Sequence, residues 1–203
     1  MNKEKIRAYK EYFKYIMEHK KNVFKACWSR KMYIHAFTHD LSKFNPKEFF
    51  PYAEWFYGKY GVKANQSDFN EDLHLNTMHL KCKIEFDTAW ERHYSKNKHH
   101  WNYWDGRYMP IKYVKQMVCD WTAMSMKFGD TPQEFYMNNY DKIVLHRRSR
   151  LELETILGLH SNTRCTDSIW KEQCKRRGIT MREDLVRLGY IKNKYGINNI
   201  PQS

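Results

Sequence analysis

Residues 36–50 read AFTHDLSKFNPKEFF. An adjacent His39–Asp40 pair is followed by Lys43 and then by Asn45-Pro46-Lys47-Glu48. That second group reads as an N-cap, a proline at the first helical position and a capping-box glutamate. A helix therefore opens at Pro46, runs through Phe49, Tyr52, Ala53 and Phe56, and stops at Gly58 or Gly61. Two metal-seeking side chains stand just before it, at the end of the preceding segment. Their meaning depends on which other histidines and acids can join them.

Upstream, apolar residues recur at intervals of three and four across 3–28: Ile6, Tyr9, Tyr12, Phe13, Ile16, Val23, Phe24 and Cys27. His19 and Lys20 fill the gap in that stripe. A second helix covers residues 30–41 and ends near Ser42. Downstream, the polar stretch 62–70 is a loop. A long helix over 71–94 follows, with Leu73, Thr77, Leu80, Ile84, Phe86, Trp90 and His93 on its pattern. SKNKHHWNYWDGRYM (95–109) is an irregular connection with a short helix. Pro110 opens the next helix, with Val114, Met117, Val118, Trp121 and Met124 inward and Gly129 past its end. Thr131-Pro132-Gln133-Glu134 repeats the capping logic for a helix through Tyr136 and Tyr140, and SRLELETILGL (149–159) is one more helix. There is no sustained alternation of the kind a strand needs, so the expected fold is all-α. The expected organisation is a helical domain over 1–160 and a small basic helical C-terminal extension over 161–203. The extension has helical candidates at 167–177 and 181–188.

Composition agrees with a folded core. The chain has 203 residues, is 41% hydrophobic and 16% aromatic, and holds no apolar run long enough for a membrane span. A charged N-terminus without an apolar run points to the cytoplasm. Five cysteines without CxxC spacing argue against a disulfide framework or a zinc ribbon, and make most of them small buried hydrophobes. A net charge of +13 implies an acidic partner. A phosphorylated small molecule, a nucleotide and a nucleic acid all qualify, because the basic residues are spread along the chain.

The histidines are more selective. A metal site needs donors from separate elements that converge, and five places offer them. His19 lies on the apolar stripe of the first helix, and His39 and Asp40 end the second. His93 ends the long helix, His99 and His100 follow it, and Asp120 lies beside the buried stripe of its own helix. Burying these groups singly is costly, and a shared cation removes that cost for all of them. His35, one turn before His39, reads as packing, as do Trp101 and Trp104, while His74 and His79 read as surface or core polar residues and His146 and His160 as serving no site. Asp87 faces away from His93 by helical phase.

The order H…HD…H…HH…D on successive helices resembles the HD superfamily of metal-dependent phosphohydrolases. HDLSK resembles the HDxGK variant, with Ser42 where Gly is common. THDLSKFNPKEF, AWERHYSKNKHHWNYW and MPIKYVKQMVCDW also resemble the motifs of a family of small uncharacterised bacterial and phage proteins, across roughly residues 10–160. The superfamily resemblance implies an HD-like helical bundle whose primary divalent metal is held by His19, His39, Asp40 and Asp120. It implies that His93 with His99 or His100 binds a second metal or contacts the substrate phosphate, and that Lys43 steadies a phosphate oxygen. The metal would activate a water and offset charge developing on the phosphoryl group. Mixed imidazole and carboxylate donors suit Mn, Fe, Co, Ni or Zn, as one or two ions. Lys43 departs from the acids that some nucleotidases and the stringent-response hydrolases carry there, and no GYP signature follows.

The expected function is thus a metal-dependent phosphomonoesterase or phosphodiesterase acting on a small phosphorylated or nucleotide-like substrate. The alternative is a basic nucleic-acid-binding protein with a structural or non-catalytic metal site. Its candidate reading element is the helix-turn-helix-like stretch KEQCKRRGITMREDLVRLGYI (171–191).

Overall fold

The computed structural model describes residues 3–62 and 73–159. The C-terminal extension, His160 and most of the expected 62–70 loop lie outside the described residues. Every described element is helical, as expected. The chain divides into two compact units, Met1–Lys98 and His99–Ser203.

In the first unit, α1 (Lys3–Trp28) follows the expected bounds. Its inward line is Ala8, Tyr12, Ile16, His19, Val23, Ala26 and Cys27. Phe13, expected on that line, is half exposed, because it falls one position off the four-residue ridge. α2 is shorter than expected, spanning Tyr33–Thr38. Asp40 adopts the left-handed conformation (φ 53°, ψ 28°), which no helix can continue through, and the chain resumes as a 3₁₀ turn over Leu41–Phe44. His39 and Asp40 therefore form the joint between two helices rather than the end of one.

Helix α3 (Pro46–Tyr57) starts where the N-cap grammar put it, with Asn45 Oδ1 accepting from the Lys47 N–H and Gly58 at its end. α4 runs Leu73–Lys96. Its inward face is Cys82, Ala89 and His93, with Phe86 half-buried between them, whereas Leu80 and Ile84 are 57% and 56% exposed. The expected line breaks between Ile84 and Phe86, which are two residues apart and so on different faces, whereas 82, 86, 89 and 93 keep a single face. α3 lies against both α1 and α4, and α2 lies against α1. Tyr12, Ile16, Tyr52, Ala53 and Ala89 make the core between them.

In the second unit, α5 (Trp101–Trp104) is the short helix expected in the connection, closed by Asp105 in the left-handed region. α6 (Ile111–Phe128) has Pro110 before it and Gly129 after it at φ 79°, a position where glycine carries no Cβ penalty. α7 (Pro132–Asn138) opens with the expected reciprocal capping box between Thr131 and Glu134, and ends before Tyr140. α8 covers Arg147–Ile156. α6 carries the core by burying Val114, Met117, Val118 and Trp121 against α7 and α8, with Trp101 and Trp104 packed at its edge. Cys27, Cys82 and Cys119 are buried and outside any disulfide. Among the described residues, no helix is long and apolar enough to cross a membrane.

Candidate metal centre

The first unit brings His19, His39 and Asp40 together. His19 arrives on the inward line of α1 and the other two on the joint after α2, and all three are buried. His19 Nε2 lies 3.1 Å from His39 Nε2, and Asp40 Oδ2 lies 3.3 Å from His39 Nε2 and 4.0 Å from His19 Nε2. One donor from each falls within 4.8 Å of the others. A divalent ion bonded at about 2.1 Å spaces neighbouring donors about 3.0 Å apart at right angles and about 3.4 Å apart in a tetrahedron. Two of the three separations match that range and the third corresponds to a wider angle, so this group can hold a divalent ion. Two imidazoles and one carboxylate also leave coordination positions for further ligands.

The left-handed turn at Asp40 makes this geometry. It lets consecutive residues send both side chains inward, which a continuing helix would have forbidden at a spacing of about 100° per residue. Asp tolerates the conformation better than most residues. Lys20, which the sequence offered only as a gap in a stripe, holds the joint in place. Its Nζ donates to the Phe37 and His39 carbonyls at 3.2 and 2.9 Å, satisfying the free C-terminal end of α2. Burial lowers the Lys20 pKa, and Asp40 acts against that shift.

The other side of Asp40 meets α4. His93 Nε2 lies 3.4 Å from Asp40 Oδ1, and His93 Nδ1 lies 3.0 Å from Glu48 Oε2. Ser42 Oγ donates to the same Glu48 oxygen at 2.9 Å, and Asn97 Nδ2 donates to Ser42 Oγ at 3.2 Å and to the His93 carbonyl at 2.7 Å. Glu48 thus corrects the capping-box reading. Asn45 alone caps α3, and the Glu48 carboxylate turns inward to hold His93. Lys43 Nζ sits 2.6 Å from Asp40 Oδ2, with 14% of its side chain exposed, at the edge of the cluster.

Charge follows this wiring. Burial alone would push the Asp40 carboxyl up, but His39, Lys43 and His93 together hold it well below the usual carboxylate range. Burial disfavours the His93 imidazolium, yet Asp40 and Glu48 outweigh it and raise that pKa. Asp40 is therefore held as an ionised carboxylate, the form that could ligate a cation.

His99 and His100 open the second unit as buried residues with ring centroids 4.2 Å apart. Asp120 lies half-buried on α6, next to the buried Cys119 and Trp121. Asp87 pairs with Lys83 on the exposed face of α4, as its phase implied. His35 is buried with its ring 5.1 Å from that of His39. His146 caps α8, and His79 Nδ1 contacts the Tyr60 carbonyl at 2.8 Å. Glu48 carried a local signal in the sequence, but for a capping role and not for His93. Lys20 and Asn97 carried no such signal.

No curated protein and no solved structure matches the chain. A family model described as "Family of unknown function (DUF5662)" matches residues 8–159, and the chain belongs to that family.

Proposed function

We propose that this protein is an HD-type, metal-dependent phosphohydrolase acting on a small phosphorylated or nucleotide-like substrate. The observation that carries the reading is Asp40 itself, a buried carboxylate whose one oxygen meets His19, His39 and Lys43 while the other meets His93. His19, His39 and Asp40 are the residues that would hold a primary ion, and their donor mixture favours Mn, Fe, Co, Ni or Zn. Such an ion supplies Lewis acidity that activates water and offsets charge on the phosphoryl group. Lys43, charged and at the edge of the cluster, places an ammonium beside a phosphoryl oxygen. His93, fixed at Nδ1 by Glu48, turns Nε2 toward Asp40 and offers a donor to a phosphoryl or leaving-group oxygen.

Elemental analysis of protein purified without added metal, followed by turnover of nucleotides, phosphomonoesters and phosphodiesters, tests the proposal. Bound transition metal and metal-dependent release of phosphate are expected, both lost in Asp40→Asn with the fold retained. Metal content below about a tenth of an ion per chain, with no uptake of Mn, Fe or Zn, rules the proposal out.

A further inference from the structure

Beside the cluster stands a row of phenols that the proposed chemistry leaves without a task. The His19 ring stacks on Tyr15 at 6.3 Å and Tyr15 stacks on Tyr12 at 6.1 Å. Tyr12 stacks on Tyr52 at 5.8 Å, and Tyr52 meets the His93 ring edge-on at 6.3 Å. The arc thus runs from the histidine on one side of Asp40 to the histidine on the other, across α1, α3 and α4. Two of its members differ from ordinary core tyrosines. Tyr12 is 1% exposed and Tyr52 is 5% exposed, and neither hydroxyl has a hydrogen-bond partner among the described residues. A buried hydroxyl left unbonded is costly, and phenylalanine would stack as well without that cost. The charges acting on the Tyr12 phenol include Lys43 and Asp40, and those acting on Tyr52 include Asp40 and Glu48. The phenols therefore sit within electrostatic reach of the cluster. Burial pushes both pKa values far up, so each hydroxyl is a neutral donor.

We infer that the Tyr12 and Tyr52 hydroxyls, with the Lys43 ammonium, form an oxyanion-binding wall that takes the tetrahedral phosphoryl group of the substrate. The inference rests on the phosphohydrolase reading and deepens it by naming the groups that grip the anion. Two neutral donors and one cation suit such a group. They supply directional hydrogen bonds and one compensating charge, and the Asp40 charge is already engaged by His39, Lys43 and His93.

The test uses inorganic phosphate titrated into the full chain, both as purified and after loading with manganese, for wild type, Tyr12→Phe, Tyr52→Phe and the double variant. Urea unfolding without phosphate is measured alongside. Each substitution is expected to weaken phosphate binding by on the order of tenfold, the scale of one hydrogen bond to a charged acceptor. Stability without phosphate should stay level or rise, because an unbonded buried hydroxyl has been removed. Unchanged phosphate affinity overturns the inference, as does wild-type protein that binds no phosphate in either form. Loss of stability in parallel with affinity also overturns it, since the hydroxyls would then be structural. Metal uptake is read separately, so a chain that binds phosphate through these phenols without taking metal would sink the phosphohydrolase reading and leave the wall standing.

Discussion

Glu48→Gln isolates the charge on a buried carboxylate. Glu48 Oε2 accepts from His93 Nδ1 at 3.0 Å and from Ser42 Oγ at 2.9 Å, and the exposures of the His93 and Glu48 side chains are 0% and 2%. Screening by water therefore does not discount the interaction. Glutamine keeps the shape and can present its amide oxygen to both donors, but the bonds become neutral. Hydrogen bonds to a charged group are worth about 1.5–3 kcal/mol and neutral ones about 1 kcal/mol, so with two bonds affected the metal-free protein should lose roughly 1–4 kcal/mol. With a urea dependence of roughly 2 kcal/mol per molar, the unfolding midpoint falls by about 0.5–2 M. Glu48→Ala leaves both donors bare and opens a cavity, and should cost about 3–5 kcal/mol. Because Asp40 and Glu48 act on one imidazole from opposite nitrogens, the pair Asp40→Asn and Glu48→Gln should be non-additive by at least about 0.5 kcal/mol. The assay is urea denaturation of protein dialysed against chelator. A Glu48→Gln midpoint equal to wild type, or strict additivity with Asp40→Asn, would show that the Glu48–His93–Asp40 chain does not act as a unit.

Asp40 offers a backbone contrast. Its left-handed φ of 53° suits asparagine, whereas alanine there adds about 1–2 kcal/mol of conformational cost. Both variants should lose metal uptake in a chelator-competition titration, and only Asp40→Ala should carry that additional destabilisation in urea. Burial pushes the Cys82 thiol up to about 11 from 9.0. The folded form stays protonated where the unfolded chain ionises, so alkylation of Cys82 at pH 8 should be slow until denaturant is added, as read by peptide mass spectrometry. By the same linkage, stability from this group is complete below pH 9 and is lost as pH rises toward 11. Arg176→Ala with Arg177→Ala separates the nucleic-acid alternative. Turnover should be unchanged, and an oligonucleotide affinity that collapses with the arginines and falls steeply with salt would favour the alternative instead.

The helical skeleton was legible because its signals are local. Asn45-Pro46, Pro110, Gly129 and the Thr131–Glu134 box each mark a helix end by satisfying or removing a backbone group within one turn, whatever lies across the core. The gathering of His19 with His39 and Asp40 was legible for a different reason. Three groups that are expensive to bury singly stood at inward positions of consecutive segments, and helix packing then had few ways to keep them apart.

What escaped the sequence shares one physical feature: each side chain had a satisfactory local role that a distant partner displaced. Glu48 sits three residues after Asn45 and fits the capping rule, yet Asn45 Oδ1 alone caps α3. The carboxylate gains more from a buried His93 N–H, contributed 45 residues away, than from one more exposed backbone donor. Asp40 fits the last turn of a helix by spacing. Its left-handed turn becomes worthwhile only when Lys43, His39 and His93 are all present to bond its carboxylate, a stabilisation that no window of ten residues contains. Leu80 and Ile84 fit a helical stripe in isolation, and the face that α4 buries was decided by Tyr52, Trp55 and Phe56 of α3, each of whose rings meets Phe86. Local grammar therefore reads the ends of helices well and their faces less well. It reads worst the residues that surround a charged centre, because their conformations are set by bonds that exist only once the helices have packed.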